Sequence, residues 1–260
     1  VVPDYEADHG TLVDNGDTFT LTMDAADTKI SYIYCSVPYN VVVNNVNFQS
    51  AQISWSGNSD SYTLQYREVI TPPTYGTYSY NFDNGTLQGW TSYDEDGDGD
   101  AWSNTDTEHH GGSHCLYSIF NIYNVTNDWL ISPQIPLGGT ISFYAKKLSS
   151  GDKEQFQVYV STTGTDISNF TPITDVMNVT TDWRLYEYSL SNYSGNGYVA
   201  IKHTASARQY CLYVDDITIT YPIAGVYGAW QTVNPAVSTQ PIDDLTLVTT
   251  YQVRVRGNCT

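Results

Sequence analysis

Short segments in which apolar and polar residues alternate recur along the 260 residues of this chain, and polar turns separate them. In one of them, Phe156, Val158 and Val160 take every second position. A period of two is typical of a β-strand that buries one face, and no segment shows the 3.6-residue period of an amphipathic helix. We therefore predict an all-β fold built from β-sandwiches. The clearest predicted strands are 51–55, 62–67, 140–144, 155–161, 183–190, 198–203, 212–220 and 251–256.

The charge balance restricts the partners of the protein. Lys and Arg number 10 against 28 Asp and Glu, which gives a formal net charge of −18. Such a chain repels nucleic acids and anionic membrane surfaces, so we predict neither as a partner. No apolar run reaches the length of a membrane span, and no signal peptide is present. The chain begins at Val1, so we expect an export signal or further domains upstream. The acidic, Tyr-rich and Lys-poor composition favours a secreted or surface-displayed protein.

Two separated segments carry matching halves of one module. Trp55 is followed by Tyr-x-Leu-x-Tyr from Tyr62, whereas Tyr-x-Val-x-Val begins only at Tyr251. Together these segments resemble a fibronectin type III module, which implies that a second domain is inserted into it. The alternative, unrelated modules in series, would leave half-sandwiches with open sheet edges. The predicted domains are a β-rich segment 1–36 (the tail of a preceding module), a fibronectin type III-like sandwich from 37–71 and 226–260, and an inserted domain 72–225.

The segment 94–100 reads DEDGDGD and is followed closely by Trp102. Its five carboxylates repel one another, and the neighbouring sequence offers no Lys or Arg to neutralise them. Since Ca²⁺ binds hard oxygen ligands on loops bent by Gly, we predict a calcium site. The segment starts like an EF-hand, but Thr105 stands where the final Glu is required, and neither flank is helical. A solvated acidic turn is the alternative. The predicted ligands are Asp94, Asp96, Asp98 and Asp100.

An ordered series of motifs runs through residues 75–222. It consists of Gly-Trp at 89–90, the acidic segment with Trp102, DWLISP at 128–133, VYVSTTG at 158–164 and YVDDI at 213–217. In this order the motifs resemble the cleaved-adhesin domain of the gingipain haemagglutinin regions. The resemblance implies a jelly roll related in architecture to MAM domains and carbohydrate-binding modules. It also implies structurally bound calcium and a place in bacterial surface or secreted proteins that act in adhesion.

The resemblance implies a second calcium site as well. In such jelly rolls the first and last strands lie side by side, so Asp83 and Asp215 could meet although they are far apart in sequence. The alternative is a strand end at which one carboxylate of the Asp215–Asp216 pair faces solvent.

Recognisable catalytic motifs are missing from the sequence. Neither a nucleophile elbow, nor a zinc-protease helix, nor a phosphate loop is present. The histidine-rich segment 109–114 has no Cys or spaced carboxylate to complete a metal site, and we interpret it as a flexible polar loop. Paired carboxylates for glycoside hydrolysis need only spatial proximity and stay open as an alternative. We predict that the protein is not an enzyme.

The four cysteines are widely spaced and form no C-x-x-C pair. Cys115 and Cys211 are predicted to be small buried residues on strands. Cys35 and Cys259 would lie at opposite poles of one sandwich, so we predict no bond between them. Three tryptophans are predicted to lie in the core rather than on a ligand platform: Trp90, Trp102 and Trp129.

The predicted function is that of a non-catalytic, calcium-stabilised and monomeric adhesin module. Its partner would be a host glycan or a surface or matrix protein. Two alternatives stay open: a carbohydrate-binding module that serves a hydrolase elsewhere in the full protein, and a structural spacer. The Tyr-rich loops 117–123 and 208–210 are the predicted places for ligand contacts.

Overall fold

The structure, a computed structural model, describes residues 4–7, 11–14, 19–22, 30–33 and 37–258, apart from residues 48, 122, 124, 208, 236 and 248. It divides the chain into two compact units. The central unit is Pro73–Ala224, and the discontinuous unit combines Val1–Pro72 with Gly225–Thr260. The prediction about Cys35 and Cys259 lies outside the described residues.

Nearly all regular structure in the described residues is β-strand. The one helical element assigned among them is a 3₁₀ turn, Ile167–Asn169. The strands in chain order are β1 Asp4–Ala7, β2 Thr11–Asp14, β3 Phe19–Thr22, β4 Ile30–Ile33, β5 Tyr39–Asn44, β6 Ala51–Ser56, β7 Ser61–Thr71, β8 Thr74–Tyr80, β9 Thr91–Asp94, β10 Ser103–Thr105, β11 Cys115–Ile119, β12 Thr126–Ile131, β13 Ile135–Pro136, β14 Thr140–Lys147, β15 Gln155–Ser161, β16 Thr171–Pro172, β17 Met177–Asn178, β18 Arg184–Ser189, β19 Asn196–Ala205, β20 Cys211–Ile223, β21 Val226–Tyr227, β22 Gln231–Val233, β23 Thr239–Ile242 and β24 Tyr251–Asn258.

The central unit is a sandwich of two antiparallel sheets. The first has the strand order β10-β11-β20-β14-β18, and β8 also pairs with β20. The second has the order β16-β15-β19-β12-β9, and β13 and β17 pair with β19 and β15. The predicted all-β fold class is therefore confirmed. The Gly-rich and polar turns of the sequence separate strands that return antiparallel to their neighbours.

The core of the central unit lies between these two sheets. Both β14 and β15 bury every second residue, as the period of two predicts. Phe143 of β14 and Phe156 of β15 meet edge to face, with ring centroids 5.1 Å apart. Edge-to-face contact is a favoured arrangement for aromatic pairs and joins the two sheets at their centre. Trp90 and Trp102 lie in this core, as predicted. Trp129 is also buried, but in a separate apolar cluster with Ile131, Phe170 and Ala200.

Strand β20 departs from simple alternation. Residues 211–215 are all buried, so both faces of the strand are covered at this point. A bulge in the pairing of β14 with β20 falls between Ser142 and Tyr144, opposite Asp216, whose φ is 48°. Bulges redirect side chains out of a regular ladder, and here the bulged residues are Asp216 and Ile217, whereas Asp215 stays paired with Tyr144.

The discontinuous unit carries a second, smaller core. One sheet pairs β7 with β24 on one side and with β21 and β22 on the other, and a three-stranded sheet has the order β23-β6-β5. Trp55 and Tyr62 pack edge to face in this core, with ring centroids 5.2 Å apart. Leu64 and Ile53 are buried beside them. The assignment of this unit to the fibronectin type III fold stays a prediction.

All eight predicted strand segments lie within or overlap observed strands. The N-terminal segment contributes the two-stranded pairings of β1 with β4 and of β2 with β3. A membrane-spanning helix, which would have to be both long and apolar, was not found in the part of the chain that the structure describes.

Candidate metal centre

The acidic segment begins at the end of β9 and leads to β10. Strand β9 pairs with β12, and the register places Asp94 directly opposite Asp128. Like charges facing each other across a strand pair are unfavourable unless something neutralises them. Ligand oxygens of Asp94, Asp96 and Asp128 all lie within 4.8 Å of one another. The three carboxylates therefore converge from two adjacent strands and the loop that follows one of them.

Hydrogen bonds fix the shape of this loop. The Asp94 carboxylate accepts the N–H groups of Gly97 at 2.6 Å and of Gly99 at 2.9 Å. Both glycines have a positive φ, which lets the backbone curl around the carboxylate. The Asp96 carboxylate accepts hydrogen bonds from Asn121 Nδ2 at 2.7 Å and from the N–H of Asn127 at 2.8 Å. The loop is thus tied both to itself and to the segment between β11 and β12.

Asp128 is the buried member of the group, with only 1% of its surface exposed. Its Oδ2 accepts a hydrogen bond from Ser118 Oγ at 2.6 Å, whereas its buried Oδ1 has no hydrogen-bond partner among the described residues. The pKa of this carboxyl is raised to about 7. Burial is the main cause, the charges of Asp96, Asp98 and Asp94 contribute in the same direction, and the Ser118 hydrogen bond opposes them. Two features are therefore unfavourable here: a buried oxygen without a partner and the repulsion between the carboxylates. A bound cation would relieve both, because it would bind Oδ1 and neutralise the converging charge.

The donor chemistry fits a hard cation. The three side chains offer carboxylate oxygens, which are the ligands that Ca²⁺ prefers. Asp98 and Asp100, two of the predicted ligands, lie in the same loop but outside this group of three. Asp98 Oδ1 accepts the N–H of Asp100 at 2.8 Å and so supports the loop internally. Burial and the neighbouring carboxylates raise the pKa of Asp98.

The acidic segment has a basic partner, although its neighbouring sequence offers none. Lys202 of β19 pairs with Glu95 at 3.0 Å, so the prediction that no Lys or Arg lies near the segment is wrong. Glu95 also accepts a hydrogen bond from Trp129 Nε1 at 2.7 Å. The fifth carboxylate of the segment is therefore used in an ion pair. The sequence could not show this pair, because the two residues come together only through the sheet.

The predicted second site looks different. The Asp83 carboxylate accepts the N–H groups of Ser113 at 2.5 Å and of His114 at 3.1 Å. The hydrogen bond from Ser113 is the main cause of a lowered pKa at Asp83. Asp215, which is fully buried, accepts the N–H groups of His110 at 2.8 Å and of Gly111 at 3.3 Å. Both carboxylates therefore bind the same loop, 109–114, through its backbone.

Burial raises the pKa of Asp215 more than these hydrogen bonds lower it. Within the described ranges, neither Asp83 nor Asp215 belongs to a group of three metal-ligating side chains. A second calcium site at this place stays a prediction. What the structure shows is a loop anchored at both ends by carboxylates.

The histidine-rich loop also packs onto the first sheet. The His110 ring stacks on Tyr144 of β14, with centroids 3.5 Å apart and planes inclined by 13°. Its Nδ1 lies 2.7 Å from Asp216 Oδ2, the carboxylate that the bulge in β20 directs toward it. The loop therefore contacts the outer side of the first sheet at Tyr144 and Asp215. Cys115 and Cys211 are buried, as predicted, in an apolar cluster with Tyr213, against which Tyr117 and Trp183 pack.

A buried polar chain leads away from Asp128. Ser118 Oγ lies 2.6 Å from His203 Nδ1, and His203 Nε2 lies 2.7 Å from Glu154 Oε2. Glu154 Oε1 accepts the N–H of Tyr210 at 2.5 Å. The Ser–His–Glu order has the form of a hydrolytic triad, but Ser118 and His203 are 0% exposed and Glu154 is 1% exposed. Since the hydroxyl also contacts Asp128, this arrangement joins strands and offers no path to a substrate.

Of the predicted ligands, Asp94 and Asp96 belong to the converging group, whereas Asp128 and the buried chain were not predicted. The signal for Asp128 was an ionisable residue directly before the apolar run Trp129–Ile131, within the motif DWLISP. A lone carboxylate in a buried strand is rare unless it is paired or binds a metal. Its partners could not be named without the register of β9 against β12.

Comparison with known proteins agrees with this architecture. The family model of the cleaved adhesin domain matches residues 76–219, which is more than half of the chain and lies within the central unit. Hemagglutinin A of Porphyromonas gingivalis strain W83 is 27% identical over 215 residues, covering 69% of this chain and 10% of that protein. Gingipain R1 of P. gingivalis strain ATCC 33277 is 29% identical over 169 residues, covering 55% of this chain and 10% of that protein.

A solved structure matches in the same way. The K1 cleaved adhesin domain of Lys-gingipain from P. gingivalis W83 superposes with a TM-score of 0.50 at 26% identity, covering 57% of this chain and 98% of that domain. The chain spans about a tenth of the length of the curated relatives it matches. The resemblance predicted from the ordered motifs is confirmed, and the chain belongs to the cleaved adhesin domain family.

Proposed function

We propose that this chain is a non-catalytic, calcium-stabilised adhesin module of a secreted or surface-displayed protein, which binds a glycan or a surface protein. The observation that carries the proposal is the cleaved adhesin match over residues 76–219. The names of the relatives, a hemagglutinin and a gingipain, are consistent with an adhesive role at or outside the cell surface. The enclosed Ser118–His203–Glu154 chain supports a role without catalysis.

Calcium is the proposed resident cation. Asp94, Asp96 and Asp128 would hold it, and the buried Oδ1 of Asp128 would gain the partner that it lacks among the described residues. Its contribution would be structural, because it would lock the end of β9 to β12 and hold the loop that leads from β9 to β10.

The proposed binding surface is next to this centre. We name it the aromatic edge: Phe120, Tyr123 and Tyr210. Tyr123 is 81% exposed and Tyr210 is 46% exposed. Phe120 and Tyr210 stack with ring centroids 6.3 Å apart. Exposed aromatic side chains that are held in place are favoured contact residues, because they bury a large area at a small entropic cost.

Two polar contacts tie the aromatic edge to the interior. Asn121 donates to Asp96 of the metal group through Nδ2 and accepts the N–H of Tyr123 at 2.8 Å. The N–H of Tyr210 donates to Glu154 of the buried chain. The proposed metal would therefore position the surface that makes contact with the ligand.

The test is a binding screen of the calcium-loaded protein against an array that carries glycans and host matrix proteins. We expect reproducible binding that is lost in Tyr123→Ala and Tyr210→Ala. Tyr75→Ala is the matched control, because Tyr75 is 65% exposed in the same unit but lies on β8. Binding confined to glycans would define a lectin-like module, and binding confined to proteins a protein adhesin. If nothing on the array binds, the proposal is overturned in favour of a structural spacer. If all three variants lose binding equally, the aromatic edge is not the binding surface.

A further inference from the structure

The discontinuous unit concentrates its positive charge on one sheet face. Its Lys and Arg residues are Lys29, which lies outside the described residues, and three arginines on β7 and β24. The register pairs Arg67 with Gln252, Gln65 with Arg254, and Thr63 with Arg256. Since residues two apart on a strand share a face, and paired residues on neighbouring strands share it too, all three arginines point to the same side.

Two of these arginines are held rigidly by aromatic rings. The indole of Trp230 lies between the guanidinium groups of Arg67 and Arg254, at 4.3 Å and 4.1 Å from its centroid. Arg67 also lies 3.8 Å from the ring centroid of Tyr227. Arg67 Nε donates to Gln252 at 2.9 Å, and Arg254 Nε donates to Gln65 at 2.8 Å. Stacking fixes the guanidinium planes, so their remaining N–H groups are ordered in advance for an acceptor.

That acceptor is not supplied by the described part of the chain. None of the three guanidinium groups has a carboxylate within 4.0 Å among the described residues, although acidic residues outnumber basic ones in the sequence. Arg254 and Arg256 are exposed, and they line a shallow pocket of about 400 Å³ with Thr63, Gln65 and Val255. The pocket wall contains no acidic residue. A second pocket, beside Arg67, is lined by Glu68, Asp243 and Asp244, so the unopposed positive charge belongs to Arg254 and Arg256. In a protein with a net charge of −18, these two arginines form a local site of opposite sign.

We propose that this arginine face, made of Arg67, Arg254 and Arg256, binds a linear polysaccharide that carries sulfate or carboxylate groups. Charge complementarity supplies the attraction, and planar guanidinium groups bind both kinds of anionic group through paired N–H donors. Arg254 and Arg256 stand two residues apart on one strand, a spacing of roughly 7 Å that suits charges repeated along an extended chain.

The neutral side chains between the arginines favour a sugar over an acidic peptide. Thr63, Gln65 and Gln252 lie on the same face. Their side chains already bond Asn258, Thr232 and the two arginines, and their remaining hydrogen-bonding capacity matches the hydroxyl groups of a polysaccharide. The face is the flat side of a sheet, whereas an extended peptide would need a free strand edge for its backbone hydrogen bonds. The proposal concerns the discontinuous unit, so it goes beyond the function proposed for the aromatic edge.

The test uses the full chain and measures retention and affinity on immobilised heparin, with polygalacturonate, neutral dextran and polyglutamate as further probes. We expect binding to heparin or polygalacturonate that weakens with salt, and no binding to dextran. Arg256→Gln should weaken binding severalfold and reduce the slope of log affinity against log salt by about 1, as for a lost contact with a polyanion. Arg254→Gln with Arg256→Gln should weaken it further.

Controls separate charge from folding. Arg256 takes no part in the ring stacking around Trp230, so its variant keeps the arrangement even if Arg254→Gln destabilises the unit. Arg184→Gln removes an exposed arginine of the central unit and should leave binding unchanged. Arg256→Lys keeps the charge and should retain part of the affinity.

Equal binding by wild type and the Arg254/Arg256 double variant, or tighter binding to polyglutamate than to either polysaccharide, would overturn the proposal. Loss of array binding in Tyr123→Ala would leave it untouched.

Discussion

Glu154 and His203 form a hydrogen-bonded pair of 2.7 Å in which both side chains are completely shielded from solvent. The pair joins β19 to the segment just before β15, and Ser118 continues it to Asp128. When Asp128 and Glu154 are both ionised, Ser118 donates to Asp128, so the His203 ring must donate from both nitrogens. A bound cation, two carboxylates and one imidazolium would then form an alternating series of charges through the interior.

Removing the imidazole should therefore be costly. We expect His203→Ala to lower the free energy of unfolding by about 3–5 kcal/mol, because Glu154 would keep its hydrogen bond from Tyr210 but its buried Oε2 would lose the partner that His203 supplies. Chemical denaturation followed by circular dichroism measures this. His109→Ala, which removes an exposed histidine of the 109–114 loop, should change stability by about 0.5 kcal/mol or less. If both variants were equally stable, the buried pair would have no structural role.

Calcium should stabilise the protein measurably. At a free calcium concentration about 100 times the dissociation constant, the free energy of unfolding should rise by about 2.7 kcal/mol. Thermal melts in excess chelator and in calcium give the comparison. Asp128→Asn should abolish most of this calcium-dependent rise in the free energy of unfolding, because it removes one of the converging carboxylates, whose Oδ1 is buried.

Asp106→Asn is the matched control for that experiment. Asp106 is an exposed carboxylate shortly after the acidic segment and lies outside the group of three. The Asp106→Asn variant should show the same calcium-dependent rise in the free energy of unfolding as the wild type. Melting curves that coincide with and without calcium, together with no metal in the purified protein, would rule out the site.

The cysteines of the central unit should be inert at alkaline pH. Burial raises the pKa of the Cys211 thiol to about 12 and also raises that of Cys115. The thiolate is the reactive form, so at pH 9 both thiols stay protonated in the folded state, whereas an exposed cysteine would be largely ionised. Peptide mapping after iodoacetamide treatment should show neither residue modified in the native protein and both modified in urea. Modification at equal rates in both conditions would contradict the burial of the two thiols in the cluster around Tyr213.

Gly112 should be less replaceable than other glycines with a similar backbone. Its φ is +60°, and an added Cβ would lie 2.0 Å from Asp83 Oδ2. Gly195 has a φ of +76° and no atom within 4 Å of that position. Gly195→Ala should therefore cost about 1–2 kcal/mol from the left-handed backbone alone, and Gly112→Ala should cost more. Equal unfolding free energies for the two variants would show that Asp83 moves away without penalty.

The strands were predictable because local alternation determines them. Phe156, Val158 and Val160 mark β15 without any knowledge of its neighbours. Asp94 and Asp96 were also predictable, since crowded carboxylates on a Gly-bent loop are visible in the sequence.

The partners of these residues depended on sheet register, which the sequence does not contain. Asp128 joins the acidic loop only because β12 pairs with β9, and Lys202 reaches Glu95 only across the same sheet. The burial of Asp215 likewise results from a loop folded over β20, which alternation on β20 itself cannot reveal. The arginine face escaped prediction for a similar reason, because Arg67 and Arg254 are 187 residues apart in sequence and meet through Trp230.

The pairing of β8 with β20 places Thr74 opposite Ile223, so a folded central unit holds its two chain ends side by side. In the discontinuous unit, by contrast, Arg67 and Gln252 bond across 185 positions of sequence. If the central unit folds first, most of that interval becomes a short bridge. The entropic contribution to the free energy of closing the sheet of β7 and β24 then falls by roughly 1 to 2 kcal/mol. During synthesis, β7 is made long before its partner β24. Early folding of the central unit shortens the loop that must close before these two strands can pair.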